Sequence, residues 1–297
     1  MIRLGTRGSA LALAQARWVA ERLPGEVELV PIATSGDQPS SRGQTPLGGL
    51  RVEDKARFVK EIEDALLDGA VDLAVHSAKD VPAELPDGLA IVGVPERADP
   101  RDALCGAGSL EDLPEGAAIG TASLRRRALL LALRPDLDVR DLRGNVDTRL
   151  RRLADGDFDA IVLAQAGLNR LGRGNEGTPL DPREFVPAAG QGCLVLEARG
   201  DRADVAEAAT ALTDRDALTS VTAERALVQA LNATCDTPIG AHATENDGEL
   251  RMTAFLGLPD GSHWLRDELS GVVDAPAVLG EKVGTRLLAA GADAILR

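Results

Sequence analysis

The segment Phe58-Val-Lys-Glu-Ile-Glu-Asp-Ala-Leu-Leu-Asp-Gly-Ala-Val-Asp-Leu-Ala-Val-His-Ser-Ala-Lys-Asp80 spells a helix, a turn and a strand in one run. Phe58, Val59, Ile62, Leu66 and Leu67 fall on one helical face, and Asp68-Gly69 supplies a stop signal. The apolar run over 71–75 then reads as a buried strand. His76 to Asp80 lands at its carboxyl end, where open α/β sheets place ligands.

The same rhythm extends in both directions. Upstream, Ile2-Arg3-Leu4 passes through a Gly-Thr turn into a helix over 10–23, and 27–32 reads as the next strand. Downstream, Ala117-Ala-Ile-Gly120, a helix beginning near Ser123, a strand over 139–142, a helix over 147–153 and a strand over 160–163 repeat the plan, which is the βαβ pattern of parallel sheets. Two local echoes suggest a duplication. Gly5-Thr6-Arg7-Gly8-Ser9 matches Gly120-Thr121-Ala122-Ser123 in kind, and Asp68-Gly-Ala-Val-Asp72 matches Asp155-Gly-Asp-Phe-Asp159. Gly190-Gln-Gly192 with the run over 193–198 looks like a strand returning to the first sheet. After Asp214 the pattern changes to a helix over 217–231, a turn over 234–240, apolar runs over 250–258 and 271–273, and a last helix over 277–290. The fold class is α/β, with two doubly wound domains, 1–97 with 192–213 and 98–191, then a smaller α+β domain over 214–297. A chain of 297 residues exceeds what one core usually supports, so a cleft between domains is expected. The polar stretch over 34–51 reads as a mobile loop or lid.

Composition bounds the function. Lys and Arg number 33 against 47 Asp and Glu, a net charge of −14. Such a surface repels nucleic-acid phosphates and anionic membranes over about 8–10 Å in ordinary salt, so neither partner is expected. Lysine occurs only at Lys55, Lys60, Lys79 and Lys282. A high-salt cytoplasm and a GC-rich coding bias both produce this halophilic-type acidic pattern. No apolar leader follows Met1 and no run of about 18 apolar residues occurs, so a soluble cytoplasmic protein is expected, with monomer as the default state. Cys105, Cys193 and Cys235 lack CxxC spacing and are odd in number, against a disulfide framework or a zinc site, and three histidines make any metal site unexpected.

Nine arginines lie between Arg125 and Arg152, a concentration of charge that asks for an anionic partner. Thr121-Ala-Ser123-Leu-Arg125-Arg126 sets hydroxyls and guanidinium groups at a helix N-terminus, which favours carboxylate or phosphate. Arg143-Gly-Asn-Val-Asp-Thr-Arg149 repeats the device. Arginine grips planar carboxylates bidentately. The competing reading is a solvated helix face paired with Asp136, Asp138, Asp141 and Asp147. Asp80, beside Lys79, can serve as a general acid, as a counter-charge to a cationic intermediate, or only as a cap. His76 reads as packed or hydrogen-bonded rather than catalytic. Cys235, in the turn-rich run over 231–240, is either an accessible attachment point or an inert loop thiol, whereas Cys105 and Cys193 read as small core residues.

Taken in order, these motifs resemble the porphobilinogen deaminase (hydroxymethylbilane synthase) family from end to end. The stretches that carry the resemblance are Leu4-Gly-Thr-Arg-Gly-Ser-Ala-Leu-Ala-Leu-Ala-Gln15, Phe58-Val-Lys-Glu61, Ala74-Val-His-Ser-Ala-Lys-Asp-Val-Pro82, Asp99-Pro-Arg-Asp102, Gly120-Thr-Ala-Ser-Leu-Arg-Arg126, Leu142-Arg-Gly-Asn-Val-Asp-Thr-Arg149, Ala166-Gly-Leu-Asn-Arg-Leu-Gly172, Pro187-Ala-Ala-Gly-Gln-Gly192, and Cys235 with Pro238-Ile-Gly240. The resemblance implies two domains similar to periplasmic binding proteins and a third carrying a dipyrromethane cofactor, thioether-linked through Cys235. It also implies a transferase of tetrapyrrole (porphyrin) biosynthesis that condenses four porphobilinogen molecules on that primer, with loss of ammonia, before water releases hydroxymethylbilane.

By the same resemblance Asp80, Arg7 and Arg149 are catalytic. Ser9, Lys79, Thr121, Ser123, Arg125, Arg126, Arg143 and Arg170 bind cofactor and substrate carboxylates, and Lys55 and Phe58 belong to a lid. The sequence departs from the family where Ala233-Thr234 replaces Gly-Gly before Cys235, where the lid motif reads Asp54-Lys-Ala-Arg-Phe58, and at Asp147. These changes touch loop geometry more than chemistry. The chief alternative is a non-catalytic binding protein for an anionic metabolite on the same two-lobed fold. A regulator built on that fold needs a basic helix-turn-helix, which the sequence lacks.

Overall fold

The computed structural model describes residues 1–34, 52–82, 84–234 and 237–296, with the backbone alone over 52–58. The chain begins with β1 (Ile2–Arg7), α1 (Ala10–Ala20), β2 (Val27–Ile32), α2 (Val52–Leu67), β3 (Leu73–Ser77), a 3-10 turn over Ala78–Asp80, and β4 (Leu89–Gly93). It continues with β5 (Asp102–Cys105), β6 (Ala118–Gly120), α3 (Leu124–Leu133), β7 (Asp138–Arg140), α4 (Val146–Ala154), β8 (Ala160–Ala164), α5 (Gln165–Arg170) and β9 (Thr178–Pro179). Then come β10 (Leu194–Arg199), α6 (Ala203–Thr210), α7 (Arg215–Ala230), β11 (Ile239–Asn246), β12 (Glu249–Gly257), β13 (Trp264–Val272), α8 (Pro276–Ala289) and α9 (Asp293–Leu296). Two compact units result, Met1–Arg97 with Cys193–Leu218, and Ala98–Gly192 with Thr219–Arg297.

The first unit is one lobe built on a sheet of order β2-β1-β3-β10-β4. Here β1 runs parallel to β2 and β3, while β10 enters antiparallel between β3 and β4. The returning strand read from the run after Gly192 is therefore present, in the interior of the sheet. Side chains alternate across it. Leu4, Leu73, Val75, Leu194 and Leu196 pack with Ala16 and Val19 on one face, and Ala74 packs with Ile62 and Leu66 on the other. Helix α2 starts at Val52, six residues before the expected start, because no Gly or Pro interrupts 52–57.

The second unit holds a lobe with sheet order β7-β6-β8-β5-β9 and, beyond it, a three-stranded sheet β11-β12-β13. In this second lobe β6 is parallel to β7 and β8, and β5 enters antiparallel. Strand for strand this is the layout of the first lobe. Leu73 and Ala160 open β3 and β8, and aligning them places Gly69 on Gly156 and Asp72 on Asp159. Both glycines have positive φ, 68° and 81°. Both aspartates accept from the backbone N–H of the neighbouring first strand, Arg3 N at 2.9 Å and Ala118 N at 2.7 Å. The second sequence echo, over 68–72 and 155–159, is thus one structural joint made twice.

Against the α/β part of the second unit, Phe255 of β12 enters the cluster of Ile119, Leu129, Leu130, Val139 and Phe185. The far sheet packs its inner face on α7 and α8 through Leu227, Met252, Leu279 and Val283. β13 is nine residues long, where the sequence marked only 271–273. Its inward row contains Asp267, which accepts from Arg286 of α8 at 2.7 and 2.9 Å, so a half-buried polar residue interrupts the apolar alternation.

Candidate functional site

Because β1 and β3 are parallel neighbours, with Leu4 opposite Leu73 and Gly5 opposite Ala74, their carboxyl ends open at one sheet edge. Arg7 ends β1. Ser9 caps α1, its Oγ accepting from Ala12 N at 3.3 Å, which leaves the hydroxyl proton to donate. Ser77 ends β3, and the 3-10 turn delivers Lys79 and Asp80, both half-buried. Gln15 of α1 donates to Ser77 Oγ at 3.2 Å and ties the two strand ends together. Arg7, Gln15, His76, Ser77 and Asp80 line one cavity of about 30 Å³, room for one or two waters. Two of the three residues expected to be catalytic, Arg7 and Asp80, therefore share a pocket.

In the second lobe the corresponding strand end is Gly120, followed by buried Thr121 and by Ser123, whose Oγ caps α3 by accepting from Arg126 N at 3.4 Å. Arg125 and Arg126 occupy the first turn of α3 and are 4% and 6% exposed. Both turn onto Asp102, which is 0% exposed: Arg125 Nη1 at 2.8 Å, Arg126 Nε at 2.8 Å and Nη2 at 2.7 Å. Arg126 also donates to the Val162 carbonyl at 2.9 Å and Arg125 to the Val186 carbonyl at 2.7 Å, while Gln191 donates to Asp102 at 3.1 Å. Two guanidinium groups on one carboxylate leave an excess positive charge. Burial pushes Arg125 below its ordinary range, and its Nε is buried with no hydrogen-bond partner among the described residues.

Nearby on the same lobe, Arg149 of α4 donates to the Gly144 carbonyl at 2.7 Å. Burial and then repulsion from Arg126 push it down to about 10. Arg143 is exposed and 3.9 Å from Asp141. Arg170 donates to the Gly192 carbonyl at 2.8 Å. Asp147 pairs with Arg173 at 2.7 Å. Cys235 lies outside the described residues, as do the side chains of Lys55 and Phe58 and the expected loop from residue 35 to 51. Cys105 and Cys193 are buried, and burial pushes the Cys105 thiol up to about 11.

Three parts of these sites escaped the sequence reading. Asp102 was quoted only within a motif, and its one cue in the sequence is that it opens the apolar run Ala103-Leu-Cys105. Gln15 was quoted only as the last residue of a motif. Glu197, in the interior strand β10, and Glu63, on the inner face of α2, are 0% and 7% exposed. They face His76, which is 6% exposed, with its Nε2 3.0 Å from Glu197 Oε2. The approach is close, but the atoms are not aligned for a hydrogen bond, so both remain unsatisfied.

Comparison with known proteins gives concordant matches. The family model "Porphobilinogen deaminase, dipyromethane cofactor binding domain" matches residues 2–207, and "Porphobilinogen deaminase, C-terminal domain" matches residues 218–289. A porphobilinogen deaminase of Thermus thermophilus is 48% identical over 100% of this chain and 98% of its own. One of Syntrophobacter fumaroxidans is 46% identical over 100% and 97%, and one of Brevibacillus brevis 43% over 99% and 96%. Among solved structures, an ABC transporter from Parabacteroides distasonis is similar at a TM-score of 0.43, with 14% identity, over 70% of this chain and 69% of that one.

Proposed function

The chain belongs to the porphobilinogen deaminase family, and we propose how its residues divide the work of that transferase. The enzyme joins porphobilinogen units, with loss of ammonia, to form hydroxymethylbilane in tetrapyrrole biosynthesis. Dipyrromethane is the cofactor, and when bound it supplies the pyrrole carbon that starts the chain. The second lobe's donor set fits such a group. Pyrroles of this class carry acetate and propionate arms, and Arg125 with Arg126 outnumbers Asp102, leaving a buried guanidinium N–H to be satisfied.

The observation that carries the reading is Arg7 and Asp80 in one small cavity at the ends of β1 and β3. Asp80 accepts hydrogen bonds from pyrrole N–H groups, assists departure of ammonia and offsets the positive charge that develops on the substrate ring. Arg7 and Arg149 stand nearest the reacting ring. Ser9 and Lys79 in the first lobe, and Thr121, Ser123, Arg125, Arg126, Arg143 and Arg170 in the second, hold carboxylates. Arg125 and Arg126 do so as a pair already oriented by Asp102, which removes the cost of ordering them at binding. Cys235 carries the cofactor through a thioether. Residues 1–97 with 192–213, 98–191 and 214–297 act as three domains. The protein works as a cytoplasmic monomer on a small anionic substrate, a reading supported by the net charge of −14, which disfavours nucleic acid and anionic membranes as partners. No described helix is long and apolar enough to cross a membrane. A non-catalytic binding protein is not favoured, since it has no use for Asp80 beside Arg7.

The test is the intact mass of the purified protein with peptide mapping around Cys235. An added mass of two linked pyrroles on that peptide is expected. An unmodified Cys235 that stays unmodified after incubation with porphobilinogen would exclude the attachment.

A further inference from the structure

Glu63, His76 and Glu197 have no part in the chemistry assigned above, yet they are buried together on the α2 side of the first lobe's sheet. Apolar residues Ile62, Leu66, Val71 and Ala74 form a cluster on that same face. Both carboxylate oxygens of Glu197, Oε1 of Glu63 and Nε2 of His76 are buried without hydrogen-bond partners among the described residues. Unsatisfied buried polar atoms destabilise a fold, so an unneeded trio is a liability.

The second lobe shows what the fold itself asks of these positions. Aligning Leu73 with Ala160 also aligns α2 with α4, since Leu67-Asp68-Gly69 and Ala154-Asp155-Gly156 end the two helices at the same remove from the strand. The backbone bonds repeat too: Gly69 N to Leu66 O and Gly156 N to Leu153 O, each 3.0 Å. Leu194 opposite Ser77 then corresponds to Asp102 opposite Ala164. Under this correspondence Glu63 falls on Leu150, His76 on Leu163 and Glu197 on Cys105. All three of the latter lie in one apolar cluster. The fold is therefore satisfied by an apolar trio, and the first lobe departs from it at all three positions, directly behind the cavity of Arg7 and Asp80.

We propose that Glu63, His76 and Glu197 share protons as one buried unit, and that His76, the member reaching the Asp80 cavity, is a positioning residue that sets the protonation of that cavity during the reaction. The inference rests on the deaminase reading of Asp80. Only N–H and O–H bonds change, and each proton gained by one member is lost by another or by solvent through the cavity. Two carboxylates and an imidazole away from water resist carrying two negative charges, so the unit retains a proton that separated groups would release at neutral pH. In accord with this, burial and then the charge of Glu197 push the Glu63 carboxyl up to about 7, with His76 partly offsetting them. Among the described residues, Asp64 of α2 adds its charge to that of Glu197 on Glu63, and Arg7 of β1 and Asp80 beyond β3 line the cavity that His76 reaches.

The test uses the full chain labelled with 15N-histidine, which carries three histidines, His76, His242 and His263. Loss of one signal in His76→Gln assigns His76. In Glu63→Gln the His76 signal should move in its pH dependence toward lower pH, because an ionised neighbour favours imidazolium, while the signals of His242 and His263 stay in place. The kcat of porphobilinogen consumption against pH should lose an inflection near neutrality in the same variant, with KM unchanged. Glu63→Leu, which copies Leu150, should fold at least as stably and lose the same inflection, an outcome a packing role alone does not give. Unmoved His76 titration overturns the shared unit. A moved titration with an unmoved kcat profile overturns its part in the reaction. Wild-type protein inert toward porphobilinogen at every pH sinks the deaminase reading instead, and the spectra distinguish that case.

Discussion

Asp102 accepts from two guanidinium groups while fully buried, and a residue in that position cannot be removed quietly. Asp102→Asn leaves Arg125 and Arg126 facing each other without a counter-charge. Unfolding in urea should show a loss of about 3–5 kcal/mol; a loss under about 1 kcal/mol would mean that the pair finds its counter-charge elsewhere. Asp80→Asn is the opposite case, a half-buried side chain at a strand end. It should lower kcat about a hundredfold to ten-thousandfold and leave the urea midpoint unchanged, and near-normal turnover in the folded variant would remove Asp80 from the chemistry. Asp80 was legible because it stands where an apolar run stops, whereas Arg7 was legible only through the family resemblance. Arg125 and Arg126 were legible as charged groups at a helix start, but their partner Asp102 was not, since a lone acid at a strand's head resembles solvent-facing punctuation until the neighbouring strands surround it. Glu63 was hidden among the acids of α2, and Glu197 as a single acid inside an apolar strand, since only the packing of α2 on the sheet buries them.

At the level of elements, the strand-to-helix joints carry both architecture and site. Gly120 ends β6 where an added Cβ would meet Leu142 Cδ2 at 2.8 Å and Phe158 Cδ1 and Ile161 Cγ2 at 3.0 Å. Gly120→Ala should therefore cost about 1–3 kcal/mol and shift Thr121 and Ser123, so that weaker substrate binding accompanies the lost stability. Unchanged KM and urea midpoint would show that the joint yields locally. These joints were readable because turn chemistry is local: Gly-Thr with a capping Ser, and Asp-Gly before Asp, are each written within five residues. The returning strand was readable from its Gly-Gln-Gly lead-in. β13 was not, because its inward Asp267 is explained only by Arg286 on a helix far along the chain, and the start of α2 was misplaced because charged helix formers give no apolar period.

For the molecule as a whole, two carboxyl groups set opposite limits on pH. Asp72 accepts from Arg3 and Arg202 and is held well below the carboxylate range, first by the Arg3 side chain. Its contribution is present above the unfolded value of about 3.9 and disappears as pH falls through its lower folded value. Glu63 is raised to about 7, so its contribution is complete below about 4.3 and disappears as pH rises through 7. Urea unfolding should thus show greatest stability on the acid side of neutrality, and Glu63→Gln should remove about 1–2 kcal/mol of the loss between pH 5 and pH 8 after allowance for solvent screening. Equal slopes for the two proteins would show that Glu63 is ionised throughout.

The interior place of β10 also orders events at the ribosome. β3 and β4 flank a strand that is encoded about a hundred residues later, and at roughly 5–20 residues per second the gap lasts about 5–20 seconds. Through that interval the first lobe has α1, α2 and its other four strands but no partner for the facing edges of β3 and β4, while the second lobe's five strands arrive consecutively. Of the two lobes, the one whose translation begins first is therefore the one whose sheet is completed last.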